Sequence, residues 1–295
     1  MKLSTKGPSI LGSLLALCLS GCGVGTTEGG TLANPKPKVV STSTIIADLT
    51  QAIGGEEIEH QGLLKPGTDP HVYEPVPTDN VAIEKADLIL YNGYNLEPGI
   101  IKLINAAGIK GKKFAVGEVI SPLKLDKEGK KLPDPHVWGN AQNGIKMVNA
   151  IRDQLIALSP EEEPKFKANA ARLVKELEEL DNWIKQEIAK ISPNQRQLVT
   201  THDAFQYYAH AYDLKVTGTL IGISTEEQPS AQTVKKLADE IKKTGVKTIF
   251  AETTINPLLI KAVAEEAGVK LAEKKLYSDS IGASGSEADS YEKML

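Results

Sequence analysis

One unbroken helical repeat, from residue 160 to residue 191, constrains this chain more than any other feature. Phe166, Leu173, Leu177, Leu180, Ile184, Ile188 and Ile191 follow one another at intervals of 7, 4, 3, 4, 4 and 3 residues, which places them on one face of an α-helix. Ser159-Pro160 with Glu161, Glu162 and Glu163 supplies an N-terminal cap, a first-turn proline and acids at the positive end of the helix dipole, and Ser192-Pro193 closes the segment. A helix of ~30 residues at about 1.5 Å each spans roughly 45 Å, enough to run across two lobes as a rigid connection. The competing reading is a coiled-coil partner, but the stripe covers only four heptads and lies between two sheet-forming halves. The acids of this segment, including Glu176, Glu178 and Glu179, alternate with lysines and read as a solvated face.

On both sides of the helix, short aliphatic or β-branched runs alternate with helical patterns, the rhythm of a parallel sheet wrapped by helices. Before it come Val39 to Thr44, Ile58 to Leu64, Asp87 to Tyr91 and Lys113 to Val116; after it come Gln197 to Thr201, Leu214 to Thr217, Lys247 to Ala251 and Val269 to Ala272. The expected fold is therefore α/β, with two lobes at 38–159 and 193–295, each a mostly parallel four-stranded sheet with flanking helices, joined by the long helix at 160–192. A chain of 295 residues with 41% apolar and 24% charged residues can bury cores of that size. Its 34 Lys and Arg against 38 Asp and Glu give a net charge of −4, and no basic run of the kind that neutralises phosphates occurs, so a nucleic-acid partner is not expected. A monomer is expected.

The first residues read as an address. Lys2 and Lys6 precede an apolar stretch from Ile10 to Leu19 that is too short to span a ~30 Å bilayer, the build of a secretory signal. It ends in Leu19-Ser20-Gly21-Cys22, which looks like a bacterial lipobox, with residues 1–21 removed and Cys22 carrying the lipid; an ordinary signal peptide with an idle cysteine is the plainer alternative. Losing two lysines with the signal moves the charge from −4 to −6. Residues 22–37, rich in Gly, Thr, Asn and Pro, read as a tether, which places the protein outside the cytoplasm at a membrane face. Both cysteines, Cys18 and Cys22, lie in this part, so any metal bound by the folded part must be held by His and carboxylate.

Two loops repeat a pattern 65 residues apart: Asp69-Pro70-His71-Val72-Tyr73 and Asp134-Pro135-His136-Val137-Trp138. Proline stiffens the backbone on either side, and the Asp two residues before each His can accept a hydrogen bond from the ring nitrogen that is not ligating. A lone His is more often a satisfied core residue than a ligand; a duplicated, stiffened pair reverses that expectation. His202, directly after the run Gln197 to Thr201 and opening a helix, and Asp279, just past the last predicted strand, are the further candidates. All four lie where strands of a parallel sheet end, the edge at which such folds place ligands. His60 near a strand and His210 on a helix face are left out of the site; Glu74 and Glu252 read as outer-sphere or structural carboxylates, and Tyr91, Tyr94 and Trp138 as core or cleft wall.

H-E-x-x-H, G-x-x-x-x-G-K-[ST], G-x-S-x-G and a dinucleotide-type glycine motif are all absent from the sequence. Three imidazoles and a carboxylate close a coordination sphere around zinc, whereas catalytic zinc usually keeps a water position open, so the expectation is a carrier and not an enzyme. A zinc-dependent hydrolase with Glu252 as base, and a surface adhesin with a structural metal, are the readings from other classes.

Over nearly the whole chain after the signal, the sequence resembles the cluster A-I (cluster 9) metal-binding lipoproteins of zinc and manganese ABC transporters. The matching pieces are the lipobox, Asp69 to Pro77, Asp134 to Gly139, Thr201 to Tyr208, Ile249 to Glu252 and Leu276 to Gly282. The resemblance implies two α/β lobes bridged by one rigid helix, one buried divalent ion as cargo, and ligands at His71, His136, His202 and Asp279. It also implies a membrane permease with its cytoplasmic ATPase as partners. Relatives with a third His at the position of His202 are more often linked to zinc and those with Glu there to manganese, so Zn2+ is favoured and a manganese carrier is the alternative. Two departures are plain: the stretch from Ser121 to Pro133 contains no His, where many zinc members carry a His-rich loop, and relatives usually continue for another helix past the position of Leu295.

Overall fold

The computed structural model describes residues 35–295 except 107 and 128; the expected signal segment 1–21, Cys22 and nearly all of the tether lie outside the described residues. The first sheet has four parallel strands, β1 (Lys38–Ser41), β2 (Glu59–Gly62), β3 (Leu88–Tyr91) and β4 (Lys112–Ala115), in the spatial order β2-β1-β3-β4. The crossovers carry helices α1 (Thr44–Gly54), α2 (Pro77–Lys85) and α3 (Pro98–Ile104). Successive residues of a strand face opposite sides, and both sides are covered. Val39, Leu88 and Leu90 join Ile45, Ile46, Leu49 and Ile53 of α1 in the main core, while Val40 and Ile89 pack with Ile83 of α2 and Ile100 and Ile104 of α3. The strand order reverses at β1, so the crevice beyond the carboxyl ends of β1 and β3 is where such a sheet receives a ligand.

An antiparallel hairpin of β5 (Lys124–Lys127) and β6 (Lys130–Pro133) follows, an element not anticipated from the sequence, and delivers the chain into Asp134-Pro135-His136. Helix α4 (Ala141–Leu158) then leads through a 3-10 turn at Pro160–Glu162 into the long helix α5 (Glu163–Ala189). The expected side-chain cap by Ser159 is not formed; the turn closes through the Glu162 N–H, which donates to the Ser159 carbonyl at 3.1 Å. Phe166, Leu173 and Leu177 of the predicted stripe are buried in the main core against α4 and α1. The stripe is buried or half-buried within the chain as far as Ile184, while Ile191 lies exposed past the end of α5, and the coiled-coil reading is not needed to explain it.

In the second half, β7 (Gln197–Thr200), helix α6 (Gln206–Tyr212) and β8 (Lys215–Thr219) are followed by α7 (Ala231–Thr244), β9 (Thr248–Ile249), α8 (Leu258–Ala267) and β10 (Lys270–Leu271). The strands form two parallel pairs, β7 with β8 and β9 with β10, and the Phe250 N–H donates to the Val199 carbonyl at 2.9 Å between them. A second core of Val199, Leu237, Ile241, Ile249, Ile260 and Val263 lies under α7 and α8. The final helix α9 (Tyr291–Met294) returns to the first half, with Ile281 and Tyr291 buried in the main core. No helix among the described residues is long and apolar enough to cross a membrane.

Candidate metal centre

The two Asp-Pro-His loops are one local device used twice. Asp69 Oδ1 accepts the His71 main-chain N–H at 2.9 Å, and Asp134 Oδ1 accepts that of His136 at 3.0 Å, so each Asp closes a turn over its proline. The expected ring contact forms in only one of them. Asp134 Oδ1 also accepts from His136 Nδ1 at 2.7 Å, whereas Asp69 uses its second oxygen to accept the Thr225 hydroxyl at 2.6 Å, from the other half of the chain. Tyr207 Oη donates to the Asp134 carbonyl at 2.9 Å, and Asn92 Nδ2 donates to the Pro135 carbonyl at 3.0 Å, bracing the second loop from two sides.

His202 lies two residues past β7 but does not open a helix; α6 begins only at Gln206. Its ring Nδ1 lies 2.5 Å from Glu252 Oε2, and its main-chain N–H donates to Glu252 Oε1 at 2.8 Å. Glu252 is itself fully buried, just beyond β9, in a parallel bridge with Leu276. With Nδ1 of His136 and His202 each engaged by a carboxylate, Nε2 of both rings is the nitrogen turned toward the other candidate donors.

These residues converge. His71, His136, His202 and Asp279 are all buried, and one ligating atom from each lies within 4.8 Å of every other. His71 Nε2 is 3.1 Å from His136 Nε2, His136 Nε2 is 3.6 Å from Asp279 Oδ1, and His202 Nε2 is 3.1 Å from Asp279 Oδ2. A tetrahedron with ligand bonds of about 2.0–2.1 Å has edges of about 3.3–3.4 Å, and these three separations bracket that value. His71 Nε2 and His136 Nε2 lie within hydrogen-bond distance of each other, but the other two donors are left unsatisfied. His202 Nε2 and both carboxylate oxygens of Asp279 are buried with no hydrogen-bond partner, although His202 Nε2 comes within 3.1 Å of Asp279 Oδ2. A buried carboxylate left in that state costs several kcal/mol, and a cation between the four groups relieves it.

The charges are unevenly placed. Burial pushes the His71 imidazole down to about 3, so it stays neutral and available as a donor at ordinary pH. Burial also acts to lower His202, but the Glu252 and Asp279 carboxylates outweigh it and hold the ring well above the usual imidazole range. Burial acts to raise Asp279, and His202 with the other two imidazoles overrides it, keeping the carboxyl below the ordinary carboxylate range. A proton and a dication therefore compete for the same nitrogen of His202.

Beside the centre lies a cavity of about 620 Å³, walled by Tyr91, Tyr94, Glu118, Leu132, Ile223 and Glu226 among others, and His71 is the one of the four that lines it. The remaining sequence candidates stay apart from the centre. Glu74 and His210 are exposed, and His60 sits on β2 with Nε2 3.0 Å from Ser41 Oγ. Trp138 is both core and contact: its Nε1–H donates to the Ser278 carbonyl at 2.8 Å, and its ring meets that of His136 edge-on at 5.4 Å. Neither Thr225 nor Trp138 carried a signal in the sequence that pointed to these bonds.

Similarity to known proteins follows the same residues. The model of the family described as zinc-uptake complex component A, periplasmic (ZnuA), matches residues 39–295. The chain belongs to the ZnuA family. That family comprises solute-binding proteins of ABC transporters and is not one of enzymes. FimA of Streptococcus parasanguinis, named a metal ABC transporter substrate-binding lipoprotein, is 35% identical, with 98% of this chain and 95% of that protein covered. The manganese-binding lipoprotein MntA of Bacillus subtilis is 35% identical over 94% of this chain and 91% of its own length. Among solved structures, the periplasmic zinc binding protein TroA from Treponema pallidum superposes with a TM-score of 0.83 at 31% identity, covering 88% of this chain and 95% of that chain.

Proposed function

We propose that this ZnuA-family protein captures one divalent transition metal through His71, His136, His202 and Asp279 and delivers it to the membrane permease of an ABC transporter, driven by a cytoplasmic ATPase. The observation that carries the reading is the buried convergence of four donors from distant parts of the chain, with His202 Nε2 and both Asp279 carboxylate oxygens left without a hydrogen-bond partner. The protein works outside the cytoplasm, held by lipid on Cys22, in keeping with relatives named as lipoproteins. It acts as a monomer, with the lobes at 38–159 and 193–295 flanking the bound ion.

Zinc is the favoured cargo. Three imidazoles with one carboxylate form a borderline donor set that suits zinc, and zinc outranks manganese in intrinsic affinity at such sites. Manganese is the second reading, favoured by the name of MntA, to which the chain is as similar as to FimA. A hydrolase fits poorly. Its general base has to be free to take a proton from water, and both oxygens of Glu252 are occupied by His202.

Calorimetric titration of metal-free protein with zinc and with manganese tests the assignment. His136→Ala is expected to lower zinc affinity by at least about 100-fold with the fold retained. Unchanged affinity would remove His136 from the ligand set.

A further inference from the structure

Asp279 comes late in the chain, after the last strand of the second half, yet the groups that fix it belong to the first. As far as Leu276 the backbone is tied to the second half, since the Leu276 N–H donates to the Ala251 carbonyl and the Thr253 N–H to the Leu276 carbonyl, both at 2.9 Å. One residue past Tyr277 the partners change. Ser278 gives its carbonyl to Trp138 Nε1 at 2.8 Å. Ser280 Oγ accepts the Gly67 N–H at 2.8 Å and lies 3.1 Å from Thr44 Oγ1, and Thr44 Oγ1 accepts the Ile281 N–H at 3.1 Å. Gly67 belongs to the loop that carries His71, Trp138 stands two residues after His136, and Thr44 is the first residue of α1. The residues before and after Asp279 are thus pinned by the two Asp-Pro-His loops and by a helix terminus between them. Thr44, Trp138 and Ser280 are all buried, where such bonds are not exchanged for water.

Resting on the reading of Asp279 as a metal ligand, we infer that Thr44, Trp138 and Ser280 are positioning residues that hold the Asp279 carboxylate in register with His71 and His136. They touch no metal themselves. Trp138 fixes the segment on one side of the ligand, and the Thr44–Ser280 hydroxyl pair fixes it on the other. Both oxygens of the carboxylate stay directed at the imidazoles and are not taken up by a competing donor.

The test is a double-mutant cycle on metal-free protein, with zinc affinity read by competition against a chromophoric chelator. Trp138→Phe keeps a ring and removes the N–H donor; Thr44→Val and Ser280→Ala act on the other flank and serve if Trp138→Phe does not fold. Each change is expected to weaken zinc binding about tenfold or more in the native background. In an Asp279→Ala background the same changes should have almost no further effect, because a positioning group has nothing left to position. The visible bands of the Co2+-substituted protein should shift in Trp138→Phe in the same direction as in Asp279→Ala, a signature that general loosening of the fold does not produce. Full additivity with Asp279→Ala, or native affinity in all three variants, would overturn the inference while leaving Asp279 as a ligand. Unchanged affinity in Asp279→Ala alone would instead overturn the ligand reading on which it rests.

Discussion

Glu252 holds His202 at two points, receiving the main-chain N–H on Oε1 at 2.8 Å and lying 2.5 Å from the ring Nδ1 through Oε2. The ring can neither rotate nor exchange tautomers without breaking a charge-assisted bond. Glu252→Gln keeps the size of the side chain and removes the charge, and is expected to weaken zinc binding by roughly 10–100-fold. Competition titration measures this, with circular dichroism to confirm that the fold is retained.

Replacing the third imidazole by a carboxylate is expected to change which ion is preferred. His202→Glu alone would place a second anion beside the buried Glu252, so the informative variant combines it with Glu252→Gln. A set of two imidazoles and two carboxylates is harder, and the ratio of zinc to manganese affinity should fall by about tenfold or more. Parallel titrations with the two metals give the ratio directly.

Removing the metal should cost the fold measurably. A ligand present at about 1,000 times its Kd stabilises the state that binds it by ~4 kcal/mol, which for a domain of this size corresponds to roughly 8–16 °C in melting temperature. Calorimetry before and after chelation is expected to show a fall of that order, restored by adding zinc back. An unaltered melting temperature would mean that the native state binds no metal tightly.

His60 predicts a pH dependence unconnected with the metal. Burial lowers its imidazole from 6.5 to about 4, so the fold holds it neutral, with Ser41 Oγ and Gln51 Oε1 beside its two nitrogens. The unfolded chain takes up the proton first as the pH drops. The stability this position contributes is therefore complete above about pH 6.5 and is lost as the pH falls toward 4. Denaturation of metal-free native protein and a His60→Gln variant should converge over that window, the native advantage shrinking by roughly 1–2 kcal/mol once partial solvent access is allowed for.

What could be read in advance divides along physical lines. The apolar stripe of α5 and the strand–helix rhythm were legible because periodicity reports which face of an element is buried, and burial dominates folding. The candidate donors were legible because proline-stiffened loops at strand ends leave a trace in neighbouring residues. The hairpin at Lys124–Lys127 and Lys130–Pro133 left none, since a ribbon of charged residues has no apolar alternation to announce it. Contacts that join distant segments were equally silent. Thr225 against Asp69 and Trp138 against Ser278 are set by how the halves meet, and no local spacing encodes that. Glu97 belongs with these: it is buried, accepts from Thr42 Oγ1 and the Asn92 N–H at 2.7 Å each, and burial pushes its carboxyl up to about 7.

The 620 Å³ cavity makes the four donors unequal to a visitor from outside, since it reaches His71 and none of the others. His71, whose imidazole burial keeps neutral, is therefore the donor that an ion approaching from that cavity would reach first.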